Sequence, residues 1–188
     1  NRIDYYEKHN GPTFIFGYEE SYGCLIKDFA RDKDGLQAIT LYAEMANYYD
    51  KQGKSLDVVW DELGEKYGHY DDQVYNMAFF GPIGAEKMER LMDTLHNNPF
   101  ISILGLEVVK VEDFEKSICI EEGKETEINL PKSNLVKLTF SDGTVLAVRP
   151  SGTEPKVKFY ISANSKVKKD NEGKCELVFN EIKKILDL

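Results

Sequence analysis

The chain has 188 residues, of which 41% are hydrophobic and 30% charged, and its formal net charge is −9. That length holds one domain or two small ones, with enough apolar content for a buried core. The acidic balance argues against nucleic acid or an anionic membrane as partner, since neither finds a basic footprint to dock on.

In chain order, Thr13 to Tyr18 is a short apolar run that predicts a buried strand. A polar, glycine-containing loop follows, through Glu19, Glu20, Ser21 and Gly23. Asp34, with Gln37 three residues on, has the form of a capping box at a helix start. The helix it opens places Leu36, Ile39, Ala43 and Ala46 on one face, and Gly53 is its expected stop. Ser55 is the expected cap of a second helix carrying Leu56, Val59, Trp60 and Leu63, which ends at Gly68. Trp60 reads as a core residue.

His69 to Gln73 is polar and aperiodic, and reads as a hinge. The expected division is therefore 1–70 and 71–188. Val74 to Phe80 predicts a strand, and Gly81-Pro82-Ile83-Gly84 turns the chain into a helix with Met88, Leu91, Met92 and Leu95 in register. A β region occupies Gly105 to Phe114 and Ser117 to Ile120, followed by a polar excursion at 121–127. Val136, Leu138 and Phe140 alternate along one strand, and Asp142-Gly143 is a hairpin turn. Leu146 and Val148 point inward on the return, as do Val157, Phe159 and Ile161 on the strand after it. The last helix lines up Cys175, Val178, Phe179, Ile182, Ile185 and Leu186. The second unit is thus α+β, with helices gathered on one face of an antiparallel sheet.

Cys24, Cys119 and Cys175 are widely spaced and form no CxxC pair, which reads as reduced thiols in a cytoplasmic protein. His9, His69 and His96 are scattered, with no HxxxH spacing to suggest a metal site. No apolar run approaches membrane-spanning length, and no signal peptide is evident. The first residue is Asn1, on a segment without start-like features, so the expectation is a piece of a longer polypeptide.

Three stretches carry groups suited to chemistry. Arg149-Pro150-Ser151-Gly152-Thr153-Glu154-Pro155 is a turn between alternating segments, stiffened by a proline near each end. Arg149 offers planar bidentate donors, and Ser151 and Thr153 add hydroxyls. Gly152 is expected at φ > 0, so that successive N–H groups face one anion-binding concavity. The plain alternative is a tight hairpin whose Arg149 pairs with Glu154. Lys156 and Lys158 add nearby positive charge, though they fit an ordinary solvated strand face equally well. In Gly17-Tyr18-Glu19-Glu20-Ser21-Tyr22-Gly23, paired carboxylates beside a serine suit vicinal sugar hydroxyls, with a solvated acidic loop as the alternative. In Arg31-Asp32-Lys33-Asp34-Gly35, the flanking carboxylates keep Lys33 protonated unless a folded site desolvates it.

These three motifs, in this order, resemble the α-D-phosphohexomutase family and its phosphoglucomutase and phosphomannomutase members. The last motif is highly specific and the first moderately so, and the resemblance runs over essentially the whole chain. It implies a central cleft between four domains. The first carries a phosphorylated serine and the second an aspartate-rich magnesium loop. The third carries a sugar-recognition loop, and the fourth a phosphate-binding loop on a TATA-binding-protein-like sheet.

By that resemblance, 1–70 is the end of domain 3, an α/β remnant, and 71–188 is domain 4. Glu19, Glu20 and Ser21 would recognise the sugar. Arg149, Ser151, Gly152 and Thr153 would hold the phosphate that is not being transferred. Lys33 would stand near the reacting hydroxyl as the catalytic candidate. Some members end the sugar loop with a histidine, where this sequence has Gly23. Neither a serine loop nor an Asp-Gly-Asp-Gly-Asp loop is present, so magnesium would be bound by other parts of the enzyme.

The expected function is interconversion of hexose 1-phosphate and hexose 6-phosphate, of glucose or mannose, through a hexose 1,6-bisphosphate. The expected partners are the phosphorylated sugar and the remaining domains of the same polypeptide, without which this chain would be inactive. Phosphopentomutase or phosphoglucosamine mutase activity stays open within the family, as does a stand-alone binding or assembly module outside it.

Overall fold

The computed structural model describes residues 2–19 and 23–186. The chain divides into two compact units, Asn1–Glu62 and Leu63–Leu188. Each is described by itself.

The first unit opens with α1 (Arg2–Lys8) and a two-stranded antiparallel ribbon, β1 (Gly17–Tyr18) and β2 (Cys24–Leu25). The expected strand over 13–18 is therefore only its last two residues. Ile15 is fully in solvent at 82% exposure, because β2 offers so short a ladder. Helix α2 (Gly35–Asp50) starts where the capping box placed it. Asp34 Oδ1 accepts from the amides of Leu36 (2.9 Å) and Gln37 (3.5 Å), and Gln37 Nε2 donates back to Asp34 Oδ2 at 3.2 Å. Yet α2 buries no residue, and Ile39 on its apolar face is 69% exposed.

Helix α3 (Leu56–Tyr67) follows, ending before Gly68. Trp60 is 62% exposed, which overturns its reading as core. Spacing showed that it shares a helix face with apolar neighbours. It could not show that, among the described residues, no sheet covers that face.

The second unit is an antiparallel sheet with its helices on one face. Its strands are β3 (His69–Ala78), β4 (Ser102–Ile103), β5 (Leu106–Asp113), β6 (Ile118–Glu121), β7 (Lys124–Glu127), β8 (Val136–Phe140), β9 (Val145–Pro150) and β10 (Lys156–Ser165). They run in the order β3-β10-β9-β8-β5-β6-β7, with β4 pairing off β5. Helices α4 (Gly81–Asn97) and α5 (Lys174–Ile185) contribute Leu91, Met92, Leu95, Cys175, Val178 and Ile182 to one core with the inward residues of β8, β9 and β10. The alternation over Val136–Phe140, Leu146–Val148 and Val157–Ile161 is borne out, since burial strictly alternates along those strands.

The hinge reading of His69 to Gln73 is corrected. These residues are the first half of β3 and pair with Ser165 back to Ile161 of β10. Their backbone is further fixed by Asn171 Nδ2, which donates to the His69 carbonyl at 2.6 Å, and by the Cys175 thiol, which donates to the Asp71 carbonyl at 3.2 Å. Polarity misled because β3 is an edge strand, where charged residues such as Asp71 and Asp72 are favoured. The excursion at 121–127 is corrected likewise. It is a hairpin between β6 and β7, the latter a fully exposed and highly charged edge.

Candidate functional site

The loop 19–23 joins the two ribbon strands, and the Glu19 amide donates to the Gly23 carbonyl at 2.9 Å across its mouth. Glu20 and Ser21, two of the expected sugar-binding residues, lie outside the described residues. Glu19 is held against Lys33, with Oε2 3.3 Å from Nζ, and Asp32 Oδ1 stands 3.2 Å from the same ammonium. Tyr18, Glu19, Gly23, Asp32 and Lys33 line one shallow depression.

Backbone bonds on either side fix where Lys33 can stand. The Asp34 amide donates to the Cys24 carbonyl at 3.0 Å. Gln37 Oε1 accepts from the amides of Ile26 (3.1 Å) and Lys27 (2.7 Å). Arg31 ties the start of this loop to α1 through Asp4 (2.8 Å) and Glu7 (2.6 Å). Gln37 thus braces the strand exit through Oε1 and holds the Asp34 carboxylate through Nε2. The Asp34 amide, which a full capping box would pair with Gln37, is taken by Cys24.

The hydrogen bonds with Asp32 and then Glu19, reinforced by both negative charges, raise the Lys33 pKa above the usual lysine value. The bonds from the Lys33 amide and ammonium lower that of Asp32. Lys33 is therefore a cationic donor, as its flanking carboxylates led one to expect. It can hydrogen-bond or protonate a substrate oxygen, and it is poorly placed to remove a proton.

The turn at 149–155 joins β9 to β10. The Ser151 amide donates to the Lys156 carbonyl at 2.8 Å, and the Lys156 amide to the Glu154 carbonyl at 2.7 Å. Ser151 Oγ accepts from the amides of Thr153 (3.4 Å) and Glu154 (3.3 Å). Those amides therefore face the serine oxygen, and the hydroxyl proton of Ser151 stays available to donate outward.

The expected positive φ at Gly152 is corrected. Its backbone lies outside the left-handed region, and a Cβ there would meet nothing within 4 Å. The turn closes through the Ser151 side chain and so needs no left-handed residue. What the glycine leaves is open space where a side chain would stand.

Arg149 is exposed, and among the described residues it has no ion pair. The hairpin alternative had assigned it to Glu154, but that carboxylate pairs with Lys156 Nζ at 2.5 Å. Lys158, by contrast, stands directly opposite Arg149 in the β9–β10 register, and opposite Asn76 of β3 on its other flank. Directly paired residues share a face, and burial of Val157 and Phe159 fixes it as the face away from the helices. Two cations thus stand on directly paired residues of one face, beside the turn that carries the Ser151 hydroxyl. Like charges opposed across a ladder are unfavourable unless an anion relieves them.

Sequence reasoning weighed Lys156 and Lys158 alike. Strand parity placed both on the open face, and only register separated them. The structure gathers Glu19 and Lys33 in the first unit. It gathers Arg149, Ser151, Gly152, Thr153 and Lys158 in the second.

Residues 6–67 match the family model for the phosphoglucomutase/phosphomannomutase alpha/beta/alpha domain III, and residues 106–174 match that for the C-terminal domain of the same family. A phosphoglucomutase of Staphylococcus haemolyticus is 41% identical over 160 residues, covering 84% of this chain and 29% of that protein. One of Staphylococcus aureus is 38% identical over 152 residues, covering 80% of this chain and 27% of that protein. The chain thus spans less than a third of the length of these relatives. Among solved structures, pp63/parafusin, a phosphoglucomutase from Paramecium in an open form, is similar with a TM-score of 0.59. It is 18% identical and matches 92% of this chain and 30% of its own length, a likeness that speaks for the fold alone.

Proposed function

The chain belongs to the phosphoglucomutase/phosphomannomutase family, and from that premise we propose that it is the sugar- and phosphate-recognising part of a hexose-phosphate mutase. The parent enzyme interconverts the 1-phosphate and 6-phosphate of a hexose, glucose or mannose, through a bisphosphorylated sugar. The observation that carries this reading is the exposed Arg149 guanidinium, without an ion pair among the described residues and opposite Lys158, at the mouth of the Ser151–Thr153 turn.

A mutase that passes through a bisphosphate needs one phosphate at the reacting side and one anchored away from it. In this reading the second unit is the anchor. Arg149 donates in a bidentate fork and Lys158 adds a point charge. The Ser151 and Thr153 hydroxyls and the Gly152 N–H complete the donor set. Gly152 has no side chain to hold the phosphate off the backbone. Fixed donors of this kind favour reaction by orientation and by preorganised charge.

In the first unit, Glu19, with Glu20 and Ser21 beside it in sequence, accepts from or donates to the sugar hydroxyls. Lys33 donates to the oxygen that gains or loses the phosphoryl group. The division of labour follows the two family domains, end of domain III and domain IV.

Family membership implies a phosphoserine and magnesium in the whole enzyme. Among the described residues, no group of three or more His, Cys, Asp or Glu side chains is placed to hold a metal ion. The proposal takes both groups to come from elsewhere in the parent.

The test is turnover. The full-length protein, assayed over glucose, mannose, glucosamine and pentose phosphates, is expected to be fastest with a hexose phosphate, and the present chain alone to show none. A full-length protein inert toward every sugar phosphate would overturn the reading. A preference for the pentose or amino sugar would move it within the family.

A further inference from the structure

Among the described glycines, Gly23 is the one whose side-chain space is occupied by Lys33 and Glu19. A Cβ built at Gly23 would lie 2.5 Å from Lys33 Cδ and 2.6 Å from Glu19 Oε1. The demand is for space. The Lys33 stem crosses the volume that any other residue's first carbon would fill, and at the far side its ammonium reaches Glu19 Oε2 at 3.3 Å.

We propose that Gly23 is a positioning residue: by presenting no side chain, it lets Lys33 cross the sugar loop and dock on Glu19, so that donor and acceptor are delivered to the substrate as one unit. This deepens the proposed function and rests on that reading of the loop. The clash falls on the flexible side chains of Lys33 and Glu19 rather than on backbone. A methyl group at 23 therefore leaves the loop's own hydrogen bonds, Glu19 N–H to Gly23 carbonyl (2.9 Å) and Asp34 N–H to Cys24 carbonyl (3.0 Å), free to form. What it displaces is the Lys33 stem together with the Glu19 carboxylate that the stem reaches, and so it breaks the pair. The raised lysine pKa is in keeping with the docked arrangement.

The experiment has two arms. In the first, this chain is reductively methylated with 13C-formaldehyde, and the Lys33 signal is assigned by its loss in Lys33→Arg. Its titration in the parent sequence is expected to lie above that of the bulk lysines, and in Gly23→Ala to move down toward them as the Glu19 contribution is lost while that of Asp32 stays. In the second arm, kcat/KM is measured in the full-length protein. Gly23→Ala and Lys33→Met are each expected to lower it about a hundredfold or more, within the range of a lost proton donor, chiefly through kcat. The double variant is expected to lose no more than either single one.

An unmoved Lys33 titration in Gly23→Ala overturns the proposal. So does a double variant whose losses multiply, since Gly23 then acts by another route. Should the unsubstituted full-length protein turn over no sugar phosphate, the functional reading falls, while the methylation arm still decides whether Gly23 places Lys33.

Discussion

Arg149 and Lys158 are direct cross-strand partners on the open face of the sheet, two cations in adjacent strands with no carboxylate of the turn between them. Lys156, two residues earlier on the same face, is neutralised by Glu154 at 2.5 Å. The same parity thus yields one lysine paired with a carboxylate and one that lies over the Tyr160 ring at 5.9 Å.

This difference predicts separate outcomes for three alanine variants. Arg149→Ala and Lys158→Ala should each weaken binding of glucose 6-phosphate about tenfold or more, since a charge-assisted contact is worth about 1.5–3 kcal/mol. Lys156→Ala should change it little. Chemical-shift titration of the chain reads all three. Equal affinity in Arg149→Ala and the parent would remove the anchor assignment. The stability of Lys158→Ala should be unchanged or slightly higher, as a like-charge opposition is relieved.

His96 supplies a pH-dependent latch on the second unit. Its side chain is 7% exposed, with Nδ1 2.8 Å from Asp113 Oδ2 and Nε2 facing both Asn134 Oδ1 (3.0 Å) and Glu115 Oε2 (2.9 Å). Lys116 Nζ, on the His96 carbonyl, is the opposing cation, 3.9 Å from the same Asp113 oxygen. Burial pulls the imidazole pKa down, but the bonds to Asn134 and Asp113 and the charges of Asp113 and Glu115 outweigh it, and the net direction is upward. A raised pKa in the folded state means the contribution is complete below the unfolded value, about 6.5, and is lost as pH rises through the folded value. Urea midpoints should therefore fall as pH climbs through that window, and His96→Gln should flatten the curve. A parent curve already flat there would refute the latch.

The three cysteines should differ sharply in reactivity. Burial pushes the Cys175 thiol up to about 12, and its proton is donated to the Asp71 carbonyl. Cys24 and Cys119 are half-exposed. A thiol reagent at neutral pH should label two groups in the native chain, and Cys175 only on unfolding. Fast labelling of all three would show that α5 does not seal the edge of β3.

Two apolar sets should respond oppositely to truncation. Leu95, at 1% exposure in the common core, should cost about 2–5 kcal/mol as Leu95→Ala. Ile39→Ser and Trp60→Ser, on surfaces left open, should each change stability by about 0.5 kcal/mol or less. Both should also reduce self-association of the chain, which light scattering would detect, because exposed apolar faces favour it. A large loss of stability in Trp60→Ser would mean that its ring is covered in solution.

What could be read from residues alone was whatever is set by neighbours a few positions away. The Asp34 cap and the alternation along β8, β9 and β10 are local patterns realised as read. The stripe of the last helix is realised at Cys175, Val178 and Ile182, with Phe179 and Leu186 half-buried against the core, but not at Ile185, which is 47% exposed in the last turn. The three motifs likewise carried the family, because their chemistry is written in consecutive residues.

What needed the fold was every property that depends on a distant partner. His69 to Gln73 is a strand only because β10 runs alongside it, and Trp60 is exposed only because no sheet among the described residues lies over it. Register, 9 positions apart in sequence, set Lys158 rather than Lys156 against Arg149. Packing gave Gly23 a reason to be glycine. Local periodicity fixes which way a side chain points, whereas its neighbour is decided by pairing energies summed over the whole sheet or loop.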